Sequence, residues 1–145
     1  MSDLASPRLS QTARLTRDIN ERADAISALR PGDGITVSVW TDADAYTVVR
    51  VTPTRITARM DAAKLSPGWK PEFIPGGFAG HCVNQHSQTY DYQPDPAGAL
   101  VTVTLRRWTD EEGNERRLWK RAGTGTRERG GNAYAGRRKF HDYNF

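Results

Sequence analysis

The spacing of the apolar residues changes at the sequence PGDG, residues 31–34, and this change divides the chain into two parts. Before it, apolar side chains recur every three or four residues from Leu15 to Leu29, as on one face of an α-helix. After it, apolar and polar residues alternate, as in strands with one buried face. Proline disfavours helical geometry at the residue before it, so the helix has to end here. We therefore predict a helical segment over residues 1–31 and a β-rich domain over 32–145.

The predicted helix begins near Ser10 and carries a narrow apolar stripe that includes Ile19 and Ile26. Charged residues such as Arg17 and Glu21 occupy its other faces. A stripe of this width suits packing against the β-rich domain of the same chain, and it equally suits contact with a partner subunit. The sequence leaves both interpretations open.

The β-rich part carries six to seven short strand patterns separated by turn residues. This predicts an α+β fold in which an N-terminal amphipathic helix precedes a mainly antiparallel β domain. The predicted strands cover residues 35–40, 45–52, 55–60, 88–93, 100–108 and 115–121, with a last strand or turn at 137–145. The first turn is predicted at 42–44, a long loop at 61–87, and a mobile glycine-rich segment at 122–136.

Composition limits the class of protein. The chain has 145 residues, about one domain, and 37% of them are hydrophobic. No apolar run approaches the roughly 20 residues of a membrane-spanning helix, and the N-terminal residues lack the apolar core of a signal peptide. A single cysteine, Cys82, allows no internal disulfide and no multi-cysteine zinc site. We therefore expect an intracellular protein with no membrane partner.

The net charge of +4 is unevenly distributed along the chain. Residues 1–100 have a net charge of −1, whereas residues 101–145 hold eleven Lys or Arg against six Asp or Glu, a net of +5. Nine of these eleven cations are arginines. The guanidinium group is a planar fork of donors that matches phosphate oxygens. This end of the chain therefore favours a phosphate-bearing partner, either a polymer or a small molecule.

One cluster of potentially reactive residues comprises His81, Cys82 and His86. A thiolate nucleophile with a histidine base is one interpretation, and a metal site is another. Neighbouring side chains of an extended segment diverge, however, and zinc normally needs four ligands. We favour a buried thiol with hydrogen-bonded histidines, and we predict no catalytic residue, metal or cofactor.

Two segments have the residue types of a nucleotide site. Residues 75–85 combine three glycines with Phe78, which offers a face for stacking, and Asn84, which offers paired donor and acceptor groups for a base edge. Residues 136–143 place Arg137 and Arg138 beside aromatic residues. The alternatives are an ordinary turn-rich loop with Phe78 in the core and a solvated basic tail.

Several stretches resemble a known group of small phage proteins: GDG with TDADAYTVVRV within 32–61, KPEFIPGGFAGHCVNQ at 70–85, YDYQPDPAG at 90–98, LRRW at 105–108 and GRRKFHDYNF at 136–145. The chain resembles the type-one Thoeris anti-defence family. The resemblance implies a sponge that sequesters cyclic ADP-ribose signals, and in some members cyclic oligonucleotides, without cleaving them. It also implies a homo-oligomer, a dimer or hexamer, in the cytoplasm of the infected bacterial host, and no enzymatic activity.

The resemblance further implies an aromatic and an asparagine at the adenine and arginines at the phosphates. The candidates for the first pair are Phe78 and Asn84, with Tyr92 as a rival stacking residue. The candidates for the phosphates are Arg137 and Arg138, followed by Arg106 and Arg107. The family pattern has an arginine where this chain has Ala43, so Arg30 or Arg50 would have to replace it.

Two other functions remain open at this point. A phage nucleic-acid-binding β domain would use the same arginine-rich end and would lose affinity steeply with salt. A hydrolase would use Cys82 with a neighbouring histidine, and it would not release its ligand intact. The sequence does not identify the cyclic signal or the number of ligand sites.

Overall fold

Residues 10–75 and 80–144 are described by the computed structural model, which shows one α-helix and ten strands in that part of the chain. The α+β fold with a mainly antiparallel β domain is confirmed. The elements are α1 (Gln11–Ser27), β1 (Gly34–Val39), β2 (Asp42–Val51), β3 (Arg55–Met60), β4 (Ala62–Leu65), β5 (Phe73–Ile74), β6 (His81–Cys82), a 3₁₀ turn (Gln85–Ser87), β7 (Tyr90–Gln93), β8 (Leu100–Thr109), β9 (Glu115–Arg121) and β10 (Ala133–Ala135). No helix among these elements is long and apolar enough to cross a membrane.

Six strands form one antiparallel sheet in the order β10-β1-β2-β3-β8-β9. The sheet curls so far that its two edges meet. Lys120 of β9 forms an antiparallel bridge with Asn132, which lies just before β10. The Arg121 amide also donates to the Gly131 carbonyl at 2.7 Å. The sheet is therefore a nearly closed barrel, and alternate side chains such as Ile35 and Ile56 fill its interior.

Helix α1 packs on β9 and β10, over the place where the barrel edges meet. Ala23 and Ile26 are buried there, and the Trp119 indole donates to Ser27 Oγ at 3.1 Å. The Asn20 side chain donates to the Glu115 carbonyl at 2.9 Å and so pairs with the edge strand. The apolar stripe thus covers its own domain, which was one of the two open interpretations.

The first turn lies at Trp40 and Thr41, two residues before the predicted position, because Val39 pairs with Asp42. The aspartates of 42–44 suggested a turn. Their backbone pairs with other segments instead: Ala43 exchanges two 2.9 Å hydrogen bonds with Phe140. This pairing partner lies almost 100 residues away, which local turn preferences cannot reveal.

Two segments predicted as irregular contain regular pairing. The segment 61–87 contains β4, which pairs with β7 beyond it, and β5 and β6, which pair with each other. Within 122–136, β10 pairs with β1. Arg106 Nη1 donates to the Thr124 carbonyl at 2.8 Å, and the Lys120 ammonium donates to the Glu128 carbonyl. The loop after β9 is therefore fixed by cations on the strands beneath it.

The C-terminal strap, residues 137–144, fastens the two small sheets to the barrel. Phe140 pairs with β2, as described above. The Lys139 amide donates to the Tyr92 hydroxyl of β7 at 2.7 Å, and the Asn144 side chain exchanges two hydrogen bonds with the Cys82 backbone. One short segment thus connects three sheets.

The strap begins at a buried ion pair. Arg137 Nε donates to Asp61 Oδ2 at 2.8 Å, and the Asp61 side chain is completely buried. Thr47 completes the network by donating to Asp61 and accepting from Arg137 Nη2. Gly34 makes room for it, because a Cβ there would lie 2.5 Å from Arg137 Cγ. Glycine at this position therefore permits the arginine to cross β1.

Arg137→Ala should destabilise the protein by about 3 kcal/mol, because it leaves the Asp61 carboxylate buried without its cation. Urea unfolding followed by circular dichroism measures the loss. The double variant Asp61→Ala with Arg137→Ala should lose less stability than the sum of the two single changes, because it leaves neither charge without its partner. Equal stability of Arg137→Ala and the wild type would contradict this role.

Trp40→Gly should stabilise the protein by about 1 kcal/mol. Trp40 has φ +54° at the first central position of a two-residue hairpin turn, a position that favours glycine. The free energy gained by relieving this strain exceeds the free energy lost because glycine has more conformational entropy in the unfolded state. Thermal unfolding of Trp40→Gly beside Trp40→Ala separates the backbone effect from loss of the side chain, since only glycine is expected to raise the melting temperature.

Candidate functional site

The candidate site is a cleft of about 450 Å³ between the strap and the outer face of β1 and β10. Its lining residues are Thr36, Ala43, His86, Tyr134, Ala135, Arg138 and Phe140. They come from strands β1, β2 and β10, the 3₁₀ turn and the strap. The cleft therefore exists only where the strap crosses the barrel.

The cation of the cleft is Arg138, whose backbone is fixed while its side chain is exposed. The Arg138 amide donates to Thr36 Oγ1 at 2.8 Å, and this hydroxyl donates to the Gly136 carbonyl at 2.7 Å. The guanidinium forms no ion pair or hydrogen bond within residues 10–75 and 80–144. An arginine with a fixed backbone and open donors is suited to an anionic ligand.

The aromatic part of the cleft is a stacked pair. The His86 and Phe140 rings are 5.7 Å apart between centroids and inclined by only 17°. The double hydrogen bond to Ala43 fixes the backbone of Phe140, and His86 lies on the 3₁₀ turn. A flat ligand can therefore meet aromatic surface within the same cleft that holds the guanidinium.

Tyr134 of β10 forms the side of the cleft nearest helix α1. The Arg22 guanidinium carbon lies 5.4 Å from the centre of the Tyr134 ring, a cation–π contact. Tyr134 is 36% exposed and also lines the cleft. The helix thus brings a second cation close to the site.

Among the predicted ligand residues that the structure describes, Arg138 is the one that lines this cleft. Phe78 lies outside the described residues. Asn84 holds the neighbouring loop: its Nδ2 donates to the Lys70 carbonyl and its Oδ1 accepts from the Glu72 amide, both at 2.8 Å. Its amide is thus engaged within the fold.

Tyr92 and the remaining arginines lie elsewhere. The Tyr92 hydroxyl accepts from Lys139, and Arg106 donates to Thr104 and to the loop after β9. Arg107 forms an exposed 3.3 Å ion pair with Glu115. The other predicted residues are Arg30, which is exposed between α1 and β1; Arg50, which is exposed on β2; and Arg137, which is paired with Asp61.

Sequence reasoning missed most of the cleft lining. His86 was weighed only as a partner of Cys82, although it stacks on Phe140. Tyr134 is the single aromatic residue in the glycine-rich segment 122–136. A lone aromatic residue in such a segment indicates that its side chain makes a specific contact. Phe140 belongs to the basic and aromatic segment already noted, but its stacking partner is remote in sequence.

The thiol of Cys82 is buried and donates to Asn84 Oδ1 at 3.3 Å. His81 is exposed on β6, and His86 faces the cleft. Among the residues described, no three His, Cys, Asp or Glu side chains are grouped as metal ligands would be. The described lining of the cleft includes no carboxylate and no thiol. This lining is suited to binding by stacking and by charge.

Beneath the strap, Lys139 Nζ forms a 2.8 Å ion pair with Asp44 and lies 5.9 Å from the centre of the Tyr90 ring. Burial raises the pKa of Tyr90 to about 12, assisted by four neighbouring groups that disfavour a further negative charge. They are Tyr143, Tyr92, Asp42 and Asp44. The neutral phenol donates to Gln88 Oε1 at 2.6 Å and so supports the strap.

Tyr90→Phe should reduce the sensitivity of stability to alkaline pH. Between pH 10 and about 12 the unfolded state loses the Tyr90 proton while the folded state retains it, so the free energy of unfolding falls over this range. Urea unfolding across it should show a smaller fall for Tyr90→Phe than for the wild type. Parallel curves for the two proteins would contradict the raised pKa.

The cleft combines an open guanidinium with a stacked aromatic pair, and a second arginine lies beyond Tyr134. These groups complement a flat ring that carries negative charge. Comparisons with protein-family models, curated proteins and solved structures found no match to this chain.

Proposed function

We propose that the protein binds a small nucleotide-derived ligand in the cleft and holds it without cleaving it. The observation that carries the proposal is the exposed Arg138 guanidinium beside the stacked His86 and Phe140 rings. The volume of about 450 Å³ lies within the range of roughly 300–1,000 Å³ typical of small-molecule sites.

The aromatic pair supplies the contact for the base. Nucleobases have two flat faces, and stacking on an aromatic side chain is worth about 1–3 kcal/mol per base. Tyr134 provides a further aromatic ring in the lining of the cleft. The base is therefore held by surface contact, which suits tight binding.

Arg138 supplies the contact for a phosphate. Its guanidinium can donate two parallel hydrogen bonds to phosphate oxygens, and it surrenders no internal ion pair among the described residues in doing so. Arg22 lies beyond Tyr134 and adds positive potential at the same side.

In biological terms, we propose a phage anti-defence sponge that sequesters a cyclic ADP-ribose-type signal or a cyclic oligonucleotide in the infected bacterial cell. The resemblance of the sequence supports this reading. The family position that is normally arginine is Ala43 here, and Ala43 lines the cleft. In place of an arginine at this position, the cleft has Arg138 from the strap, and Arg22 contacts Tyr134 from outside the lining. Assembly as a homo-oligomer is part of the proposal.

Arg138→Ala should weaken binding of cyclic ADP-ribose by about tenfold to a hundredfold, the usual effect of losing a charge-assisted hydrogen bond. Isothermal titration calorimetry measures the affinity, and a panel of cyclic dinucleotides is titrated in parallel. Phe140→Ala should also weaken binding. Arg55→Ala is the matched control, because Arg55 is exposed at the start of β3 and does not line the cleft.

The fate of the ligand separates a sponge from an enzyme. After incubation, the complex is denatured by heat and the released molecule is identified by mass spectrometry. Recovery of intact ligand agrees with sequestration, and recovery of a hydrolysed product contradicts it. Equal affinity of Arg138→Ala and the wild type would remove the cleft from consideration.

A further inference from the structure

Trp40 is the most exposed large hydrophobic side chain in the part of the chain that the structure describes, with 82% of its surface accessible. It is also the one non-glycine residue there with a positive φ, +54°. A positive φ at a bulky residue costs on the order of 1–3 kcal/mol. The turn therefore places an apolar ring in solvent at a cost in stability, which is typical of a residue that meets a binding partner.

The turn is held against the loop after β9, which we name the arginine loop (residues 122–131). The Gly131 amide donates to the Ser38 carbonyl at 2.8 Å, and the Ser38 amide donates to the Asn132 carbonyl at 2.9 Å. A Cβ on Gly130 would lie 3.4 Å from the Trp40 nitrogen. The Trp40 turn and the arginine loop thus form one continuous surface.

The arginine loop is fixed from below before any partner arrives. Arg106 donates to the carbonyls of Thr124 and Arg121, at 2.8 and 3.2 Å. The buried Lys120 ammonium donates to the carbonyls of Thr126 and Glu128. Binding to this surface therefore requires little ordering of the loop, which favours affinity.

The charges on this surface are positive and open. Arg129 of the loop and Arg121, the last residue of β9 beside it, are both exposed, and neither forms an ion pair with another described residue. The carboxylate of Glu128 turns back toward its own loop, where a Cβ on Gly125 would lie 2.9 Å from Glu128 Oε1. Glu128, the single acidic residue of the loop, thus has its carboxylate beside Gly125 and forms no ion pair with Arg121 or Arg129.

The surroundings of Trp40 favour a nucleic acid over a protein partner. A tryptophan that anchors a protein interface is normally surrounded by apolar contacts that exclude water. No other exposed large hydrophobic residue of the described chain belongs to the Trp40 turn or to the arginine loop. A lone aromatic ring beside a loop with exposed arginines is instead the pattern of single-strand binding, in which a base stacks and phosphates are neutralised.

We propose that the Trp40 turn and the arginine loop bind single-stranded nucleic acid, with a base stacked on Trp40 and the backbone phosphates contacted by Arg121 and Arg129. This surface is separate from the cleft, since neither Trp40 nor Arg129 lines it. The inference does not depend on the proposed ligand of the cleft.

The test is fluorescence anisotropy of a labelled oligothymidylate of about 20 nucleotides, a length that exceeds common single-strand site sizes. Trp40→Ala should weaken binding about tenfold or more, and Trp40→Phe should retain most of the affinity because it preserves stacking. Arg129→Ala should reduce the slope of log affinity against log salt by about 0.7. Arg55→Ala again serves as the exposed arginine outside the surface.

Several results would overturn the proposal. These are no detectable binding by the wild type, equal binding by Trp40→Ala, and equal losses for Trp40→Phe and Trp40→Ala. Self-association in analytical ultracentrifugation that Trp40→Ala abolishes, without oligonucleotide binding, would assign the surface to protein contact instead. Calorimetry of the same variants with cyclic ADP-ribose keeps the two sites distinct, because Trp40→Ala should leave the cleft affinity unchanged.

Discussion

The buried ion pair between Arg137 and Asp61 positions the strap, and with it the candidate cleft. A buried carboxylate is costly without a cation, so Asp61 holds Arg137 at one place on the barrel. The direction of the strap after that point is fixed by two contacts: the Arg138 amide donates to the Thr36 hydroxyl, and the backbone of Phe140 pairs with that of Ala43. The cleft is the space that this path leaves open.

Closure of the barrel also depends on contacts between residues that are distant in the sequence. The two edge strands meet beneath helix α1, where Lys120 and Arg121 pair with 131–132. Arg106 and Lys120 then hold the arginine loop from below, so a glycine-rich segment becomes a defined surface. Cations in this protein thus differ in their contacts: Arg106, Lys120 and Arg137 donate to groups within the fold, whereas Arg138 is exposed with no ion pair among the described residues.

Much of the fold was predictable because it depends on local periodicity. The change from helical to alternating spacing at 31–34 identified the helix, and alternation identified β1, β3, β8 and β9 to within a few residues. The missed elements are short strands such as β4 and β10, whose pairing partners lie 25 to 100 residues away. Two to four residues carry too little pattern to be recognised without those partners.

By itself, the sequence determined the class of fold and concentrated the arginines in the last third of the chain. Only the tertiary structure decided which arginines are open to a ligand. Arg137 and Arg138 are adjacent, yet Arg137 is committed to Asp61, 76 residues away, while the Arg138 side chain is exposed in the cleft. The reason is physical: a side chain's availability depends on which remote groups need its charge, and those groups become neighbours only when the chain has folded.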